Sequence, residues 1–177
     1  MPSTMPDRTQ AAEYYFLYID QVGAGDIRNT LERQATETLS LLRGISEAQS
    51  MYRYAPEKWT MREVLSHIND TERVFVFRAL WFARGFDAPL PSFDQNVAVA
   101  GAGANDRPWR SHVEEFQYIR AASLSFYQGL PADAWDRRGV ASGNPFTVRA
   151  LAYITAGHVA HHATLLKERY LSALATT

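Results

Sequence analysis

Three of the chain's five histidines fall within five positions, in "AGHVAHHATLL" (156–166). Imidazole is the commonest metal-binding side chain and the one that titrates near neutral pH. At about 100° of rotation per residue, His158 lies in the middle of an apolar stripe with Leu151, Ile154 and Leu165. On the same wheel His162 sits about 40° to one side and His161 about 60° to the other. His158 and His162 are one turn apart on one face, the spacing by which helical motifs bring two imidazoles to one ion. The pair His158 and His161 has a feasible spacing too. Adjacent His161 and His162 diverge, so three histidines of one helix do not easily converge. Upstream, His67 shares a core-facing stripe with Val64, Thr71, Val74 and Trp81. Polar rings inside a bundle should point at one another, because unpaired buried polar groups are costly. His67, His158 and His162 can therefore supply three nitrogens to one ion and leave a position for water or substrate. The competing reading makes each a satisfied core histidine. Val159 stands where the motif H-E-x-x-H carries its general-base glutamate, which disfavours proteolysis of that type.

Other polar residues have a chemical and a bland reading side by side. Asp70, three residues after His67, can orient a ligand histidine or touch a bound water. It can equally pair with Arg73 or Arg78 on a helix surface. Asp94 and Gln95 lie on a loop able to cover the site, although Asp is also a common turn former. Arg78 shares the His67 face and can hold an anionic substrate group, or extend to the bundle's end. Glu72 looks solvent-facing. His112, beside Ser111 at the start of a helix, reads as a surface or terminal residue.

These residues need helices to carry them. "GDIRNTLERQATETLSLLRGI" predicts an amphipathic helix over about 26–44. Thr60 and Glu63 form an S/T-x-x-E capping box, and Gly85 stops the helix that follows, over about 60–84. "SHVEEFQYIRAASLSFYQGL" predicts a third helix ending near Gly129. Thr147 caps a fourth, which runs to about Leu171. The long segment "GFDAPLPSFDQNVAVAGAGANDRP" separates the second and third; its Phe86, Leu90, Phe93 and Val97 should pack down. The N-terminal segment (1–25), with Tyr14, Tyr15, Phe16, Tyr18 and Ile19, should dock on the bundle or on a partner chain. "WTMREVL" (59–65) and "FTVRALA" (146–152) form a weak repeat, consistent with two related helical hairpins. Nothing suggests a strand sheet, so the expected fold is an all-α four-helix bundle with a long loop between helices two and three.

The composition sets limits. A length of 177 residues, 46% hydrophobic and 21% charged, fits one soluble globular domain able to bury its own core. The net charge of −1 gives no general attraction to nucleic acid or anionic membrane. The absence of cysteine excludes disulfides, thiolate ligands and cysteine nucleophiles, leaving His, Asp, Glu or carbonyl oxygen for any metal. No signal peptide or transmembrane run is evident, so a cytoplasmic location is expected.

The stretches "YRYAPEKWTMREVLSHINDTERVFVFRALWFARG", "LPSFDQN" and "RALAYITAGHVAHHATLLKERYL", with the motifs W-T-x-R-E-V-L-x-H-x-x-D-T-E-R and G-H-x-x-H-H, resemble the DinB/YfiT-like superfamily. The resemblance covers most of the chain. It implies a four-helix bundle and a divalent metal, zinc or nickel, held by three histidines that match His67, His158 and His162. That is the set the helical phases select. His161 is then a pocket or supporting residue. The resemblance also implies a homodimer, and includes branches that use a low-molecular-weight thiol and others described as hydrolases. Despite the family's name, DNA contact is not expected, since Arg62, Arg73, Arg78 and Arg84 lie beside acidic residues.

Two functions compete. One is a metal-dependent enzyme that activates water or a thiol cosubstrate toward a small-molecule substrate, with Asp70, His161 or Asp94 moving protons and Arg78 binding substrate. The other is a non-catalytic, metal-stabilised module that binds a small molecule or dimerises.

Overall fold

The structure, a computed structural model, describes residues 4–175. A 3-10 turn, Glu13–Tyr15, leads into a short helix α1 (Phe16–Ile19). The bundle helices are α2 (Ile27–Arg43), α3 (Met61–Ala83), α5 (Trp109–Gln128) and α6 (Val148–Leu165), with a small α4 (Gln95–Gly101) inside the long connection. α6 continues as π-type turns over Leu166–Leu171 and ends in α7 (Ser172–Ala175). In the bundle α3 packs on α6 and α5, and α2 closes the ring by packing on the same two helices. The expected four-helix bundle is present.

The helix starts follow from local chemistry. Thr60 Oγ1 accepts from Glu63 N at 3.1 Å, and the Glu63 carboxylate accepts from Thr60 N at 2.7 Å. This reciprocal cap satisfies two amides that a helix start leaves unpaired. Thr147 repeats the cap on Ala150 N at 3.0 Å. Two residues after each threonine comes a buried arginine that gathers the preceding loops. Arg62 donates to Ser50 Oγ and to the carbonyls of Asn105 and Arg107, and Arg149 to Asp136 and the Thr4 carbonyl. The sequence repeat therefore marks a shared way of anchoring a helix to its entering loop.

The structure departs from an all-α chain in one element. Strands β1 (Arg138–Ala141) and β2 (Asn144–Thr147) form an antiparallel hairpin. Its two-residue turn is Ser142 and Gly143, both at positive φ (54° and 73°), the geometry that matches strand twist. Four-residue strands are too short for alternation to stand out in the sequence. The hairpin joins several segments at one end of the bundle. Leu90 N donates to the Val140 carbonyl at 2.9 Å, which pins the long connection. Thr147 N donates to the Gln10 carbonyl at 2.9 Å, which pins the N-terminal segment. Gly139 lets the hairpin approach α3: a Cβ there would lie 2.0 Å from the Phe82 ring.

Two apolar clusters fill the bundle. One holds Phe75, Ala79, Phe82 and the 148–156 part of α6; the other holds Val64, Leu65, Ile68, Val159 and Leu166. Between them lies a polar layer. On one side of it the Glu72 carboxylate receives two bonds from Arg120, 2.9 and 2.8 Å long. Arg120 also donates to Gln34 Oε1 at 2.8 Å, and Gln34 Nε2 donates to the Ala156 carbonyl at 2.7 Å. This chain of bonds touches all four bundle helices. Glu72 is thus 2% exposed, against the expectation of a solvent-facing residue. A single-stripe wheel fails for α3 because that helix is covered on two sides, by α6 and by α5. His112 departs from expectation likewise. It is fully buried, with Nε2 2.9 Å from the Ala104 carbonyl, because the connection after α4 folds over the start of α5.

Candidate metal centre

The other side of the polar layer is the histidine cluster. One nitrogen from each of His67, His158 and His162 lies within 4.8 Å of the others. The three residues are 3%, 3% and 7% exposed. His67 Nε2 and His158 Nε2 face each other at 3.0 Å. Tetrahedral sites with metal–nitrogen bonds of about 2.0–2.1 Å place their ligand atoms about 3.3–3.4 Å apart, so this contact is close to a coordination edge. Thr71 Oγ1 lies 3.3 Å from His67 Nδ1. With the proton on Nδ1, His67 donates to Thr71 and leaves its Nε2 lone pair facing His158. Among the described residues, His162 Nδ1 is buried without a hydrogen-bond partner. Such an orphaned nitrogen is costly in a satisfied core and natural in a ligand set.

Burial keeps these rings neutral, the form that ligates. It lowers the pKa of His67 to about 4 and that of His162 to about 3, with His67 and His161 adding repulsion to His162. Burial, then the neighbouring histidines, hold His158 well below its ordinary value. An unfolded histidine titrates near 6.5. The unfolded chain therefore takes up protons first, and stability is complete above about pH 6.5 and lost as pH falls from there toward 4. Each histidine contributes a slope of about 1.4 kcal/mol per pH unit in that window. Chelator-treated protein should melt at progressively lower temperature from pH 7 to pH 5. A flat profile over that range contradicts neutral burial.

A cavity of about 220 Å³ opens beside the cluster and reaches His67 and His158. Its walls include Tyr14, Tyr15 and Tyr18 from the N-terminal segment, Thr71 and Arg78 from α3, and Ser142 from the hairpin turn. Tyr18 stands over the histidines, its ring 5.3 Å from that of His158 and 5.6 Å from that of His161. Gly157 makes this possible. A Cβ there would lie 2.0 Å from the Tyr18 carbonyl oxygen, so α1 crosses α6 in backbone contact. Burial raises the Tyr18 pKa, and the phenol stays a hydrogen-bond donor.

The other sequence candidates lie around this core. Arg78 lines the cavity, and no carboxylate among the described residues pairs with it, although it was expected beside acidic groups. Asp70 turns to Arg73 at 3.2 Å. Asp94 caps α4 through Asn96 N and Val97 N, while its neighbours Phe93 and Gln95 line the cavity. His161 packs against Tyr18 and His162 and is not part of the cavity wall. Sequence reasoning missed Thr71 as the partner of His67, although its i,i+4 spacing carried the signal, and Ser142, which carried none. It noted the tyrosines but did not bring them to the histidines.

The fold has known counterparts. The chain belongs to the DinB superfamily, whose family model matches residues 30–166. Among solved structures it is similar to YfiT from Bacillus subtilis, described as a probable metal-dependent hydrolase with an unusual four-helix bundle topology. Identity is 14%, the match covers 94% of this chain and 91% of that one, and the TM-score is 0.72. It is also similar to the mycothiol-dependent maleylpyruvate isomerase, at 13% identity and a TM-score of 0.69. That match covers 82% of this chain and 61% of the isomerase. No curated protein matches the sequence significantly. Among the described residues, no helix is long and apolar enough to cross a membrane.

Proposed function

We propose that the protein is a metal-dependent enzyme. In this reading His67, His158 and His162 hold one divalent cation, zinc or nickel, at the inner end of the tyrosine-walled cavity. The observation that carries it is the convergence of three buried, neutral imidazoles on one point beside a cavity. A divalent ion held there supplies Lewis acidity, which brings the pKa of a water or thiol toward neutrality. The reaction is hydrolysis of a small molecule, or transfer to a low-molecular-weight thiol. The chain has no cysteine, so the thiol in the second case is a cosubstrate.

The chain's own groups have defined parts. Thr71 orients His67 through Nδ1. Tyr18 packs its ring edge-on to His158 and presents a protonated phenol at the cavity wall. Tyr14 and Tyr15 supply aromatic wall to the cavity. Untagged protein, purified without an immobilised-metal column, should carry close to one equivalent of zinc or nickel by elemental analysis. It should turn over members of a panel of esters, amides and thiol-plus-electrophile pairs, and chelation should abolish that turnover. Protein that is free of metal and takes up none on titration sinks the proposal.

A further inference from the structure

Four arginines are buried among the described residues: Arg62, Arg78, Arg120 and Arg149. Three of them carry a carboxylate: Arg62 pairs with Glu47, Arg120 with Glu72 and Arg149 with Asp136. This is the normal condition of a buried guanidinium, which cannot shed its proton and is costly to desolvate alone. Arg78 is 4% exposed, and its hydrogen-bond partners among the described residues are neutral. Its Nη2 donates to Ser142 Oγ at 2.8 Å and to the Pro91 carbonyl at 3.3 Å, and the Tyr15 phenol shares the same stretch of cavity wall. Arg78 and Tyr15 line the cavity that reaches His67 and His158. A fixed, uncompensated cation at the wall of a small cavity is a receptor for an anion.

The spacing along α3 says how far that receptor lies from the histidines. Arg78 is eleven residues after His67, about 16 Å along the helix axis. Helical side chains lean toward the N-terminus, so the long arginine arm shortens the gap to the order of 10 Å. Val74 and Phe75 lie between on the same wall, with Phe93 from the long connection also in the lining.

We propose that Arg78, with Ser142 and Tyr15, forms an anion subsite at the outer end of the cavity. The molecule handled at the histidines then carries a carboxylate or comparable oxyanion on the order of 10 Å from its reacting group, joined by an apolar body. The placement of the reacting group rests on the metal-centre reading; the anion subsite itself does not.

Calorimetric titration of the purified full chain with 3-phenylpropanoate, its neutral amide and phenyl phosphate tests this. The wild type should prefer at least one oxyanion over the amide by about tenfold or more. The tighter of the two identifies the headgroup. Arg78→Met should bring that oxyanion and the amide to within about twofold of each other, with the fold checked by circular dichroism. If that variant does not fold, Arg78→Lys decides, since it keeps the charge and loses the planar fork. A several-fold loss of preference in it supports the subsite, and an unchanged preference overturns it. The wild-type titration repeated after chelation should keep the preference. A preference that vanishes on chelation and survives in the Arg78 variant places the anion on the metal and overturns the proposal. Equal binding of acid and amide to the wild type also overturns it. Metal content, measured on the same samples, reports separately on the metal-centre reading.

Discussion

Replacing Glu72 by alanine is expected to lower the melting temperature by about 10 °C. The carboxylate takes two bonds from Arg120, and the two side chains are 2% and 1% exposed. Removing one member of such a pair leaves an unmatched charge in the interior, at a cost of about 3–5 kcal/mol. For a domain of this size each kcal/mol shifts the midpoint by roughly 2–4 °C. The loss should be larger than that of the whole pair. Glu72→Met combined with Arg120→Met substitutes apolar volume for both charges and should recover most of the stability. A fall of less than about 3 °C in the single variant contradicts this account. The pair also has a bearing on the centre. Arg120 holds Gln34, which holds the Ala156 carbonyl two residues before His158. Glu72 itself follows Thr71, the partner of His67. The single variant should therefore also weaken metal retention, although Glu72 is not among the three clustered groups.

The second large effect concerns His158. It is the hub of the cluster, facing His67 at 3.0 Å and stacking edge-on with His162 at 4.5 Å between ring centres. His158→Ala removes one of three donors and should reduce metal affinity by more than about 100-fold, beyond what loss of a supporting partner costs. A ligand that binds only the folded state adds about 4 kcal/mol when present at 1,000 times its dissociation constant. The metal-loaded wild type should thus melt about 10 °C above the variant. The chelated wild type and the variant should melt close together, because the packing lost with the ring is offset by removal of a crowded, desolvated imidazole. One equivalent of metal still bound to the variant would falsify the three-histidine centre.

Much of this was legible in the sequence, for a physical reason. Thr60, Glu63 and Thr147 mark helix starts by local hydrogen bonding, which short-range sequence encodes directly. His67, His158 and His162 stand on apolar stripes, where a polar ring must find a partner. What escaped was set by contacts between distant segments. Glu72 was misplaced because α3 is covered on two sides, and the wheel assumes one. His112 was misplaced because a loop packs over it. The hairpin escaped because it is short, and with it went Ser142, whose place beside Arg78 depends on that turn.

The closure at Gly157 has a consequence for how the protein matures. The tyrosines of residues 14–18 leave the ribosome well before the helix they cover, which includes residues 156–162. That contact spans almost the whole chain, and long-range contacts of this kind form late, after loop closure has been offset by other packing. The early segment must wait, uncovered, for its seat to be synthesised. Once α6 is made, the three imidazoles stand open to the surrounding solution until α1 docks and shuts them in. Loading of the centre should therefore be fast on refolding chains and slow on finished ones. Metal added during refolding, compared with metal added afterwards, reads that difference as a ratio of rates.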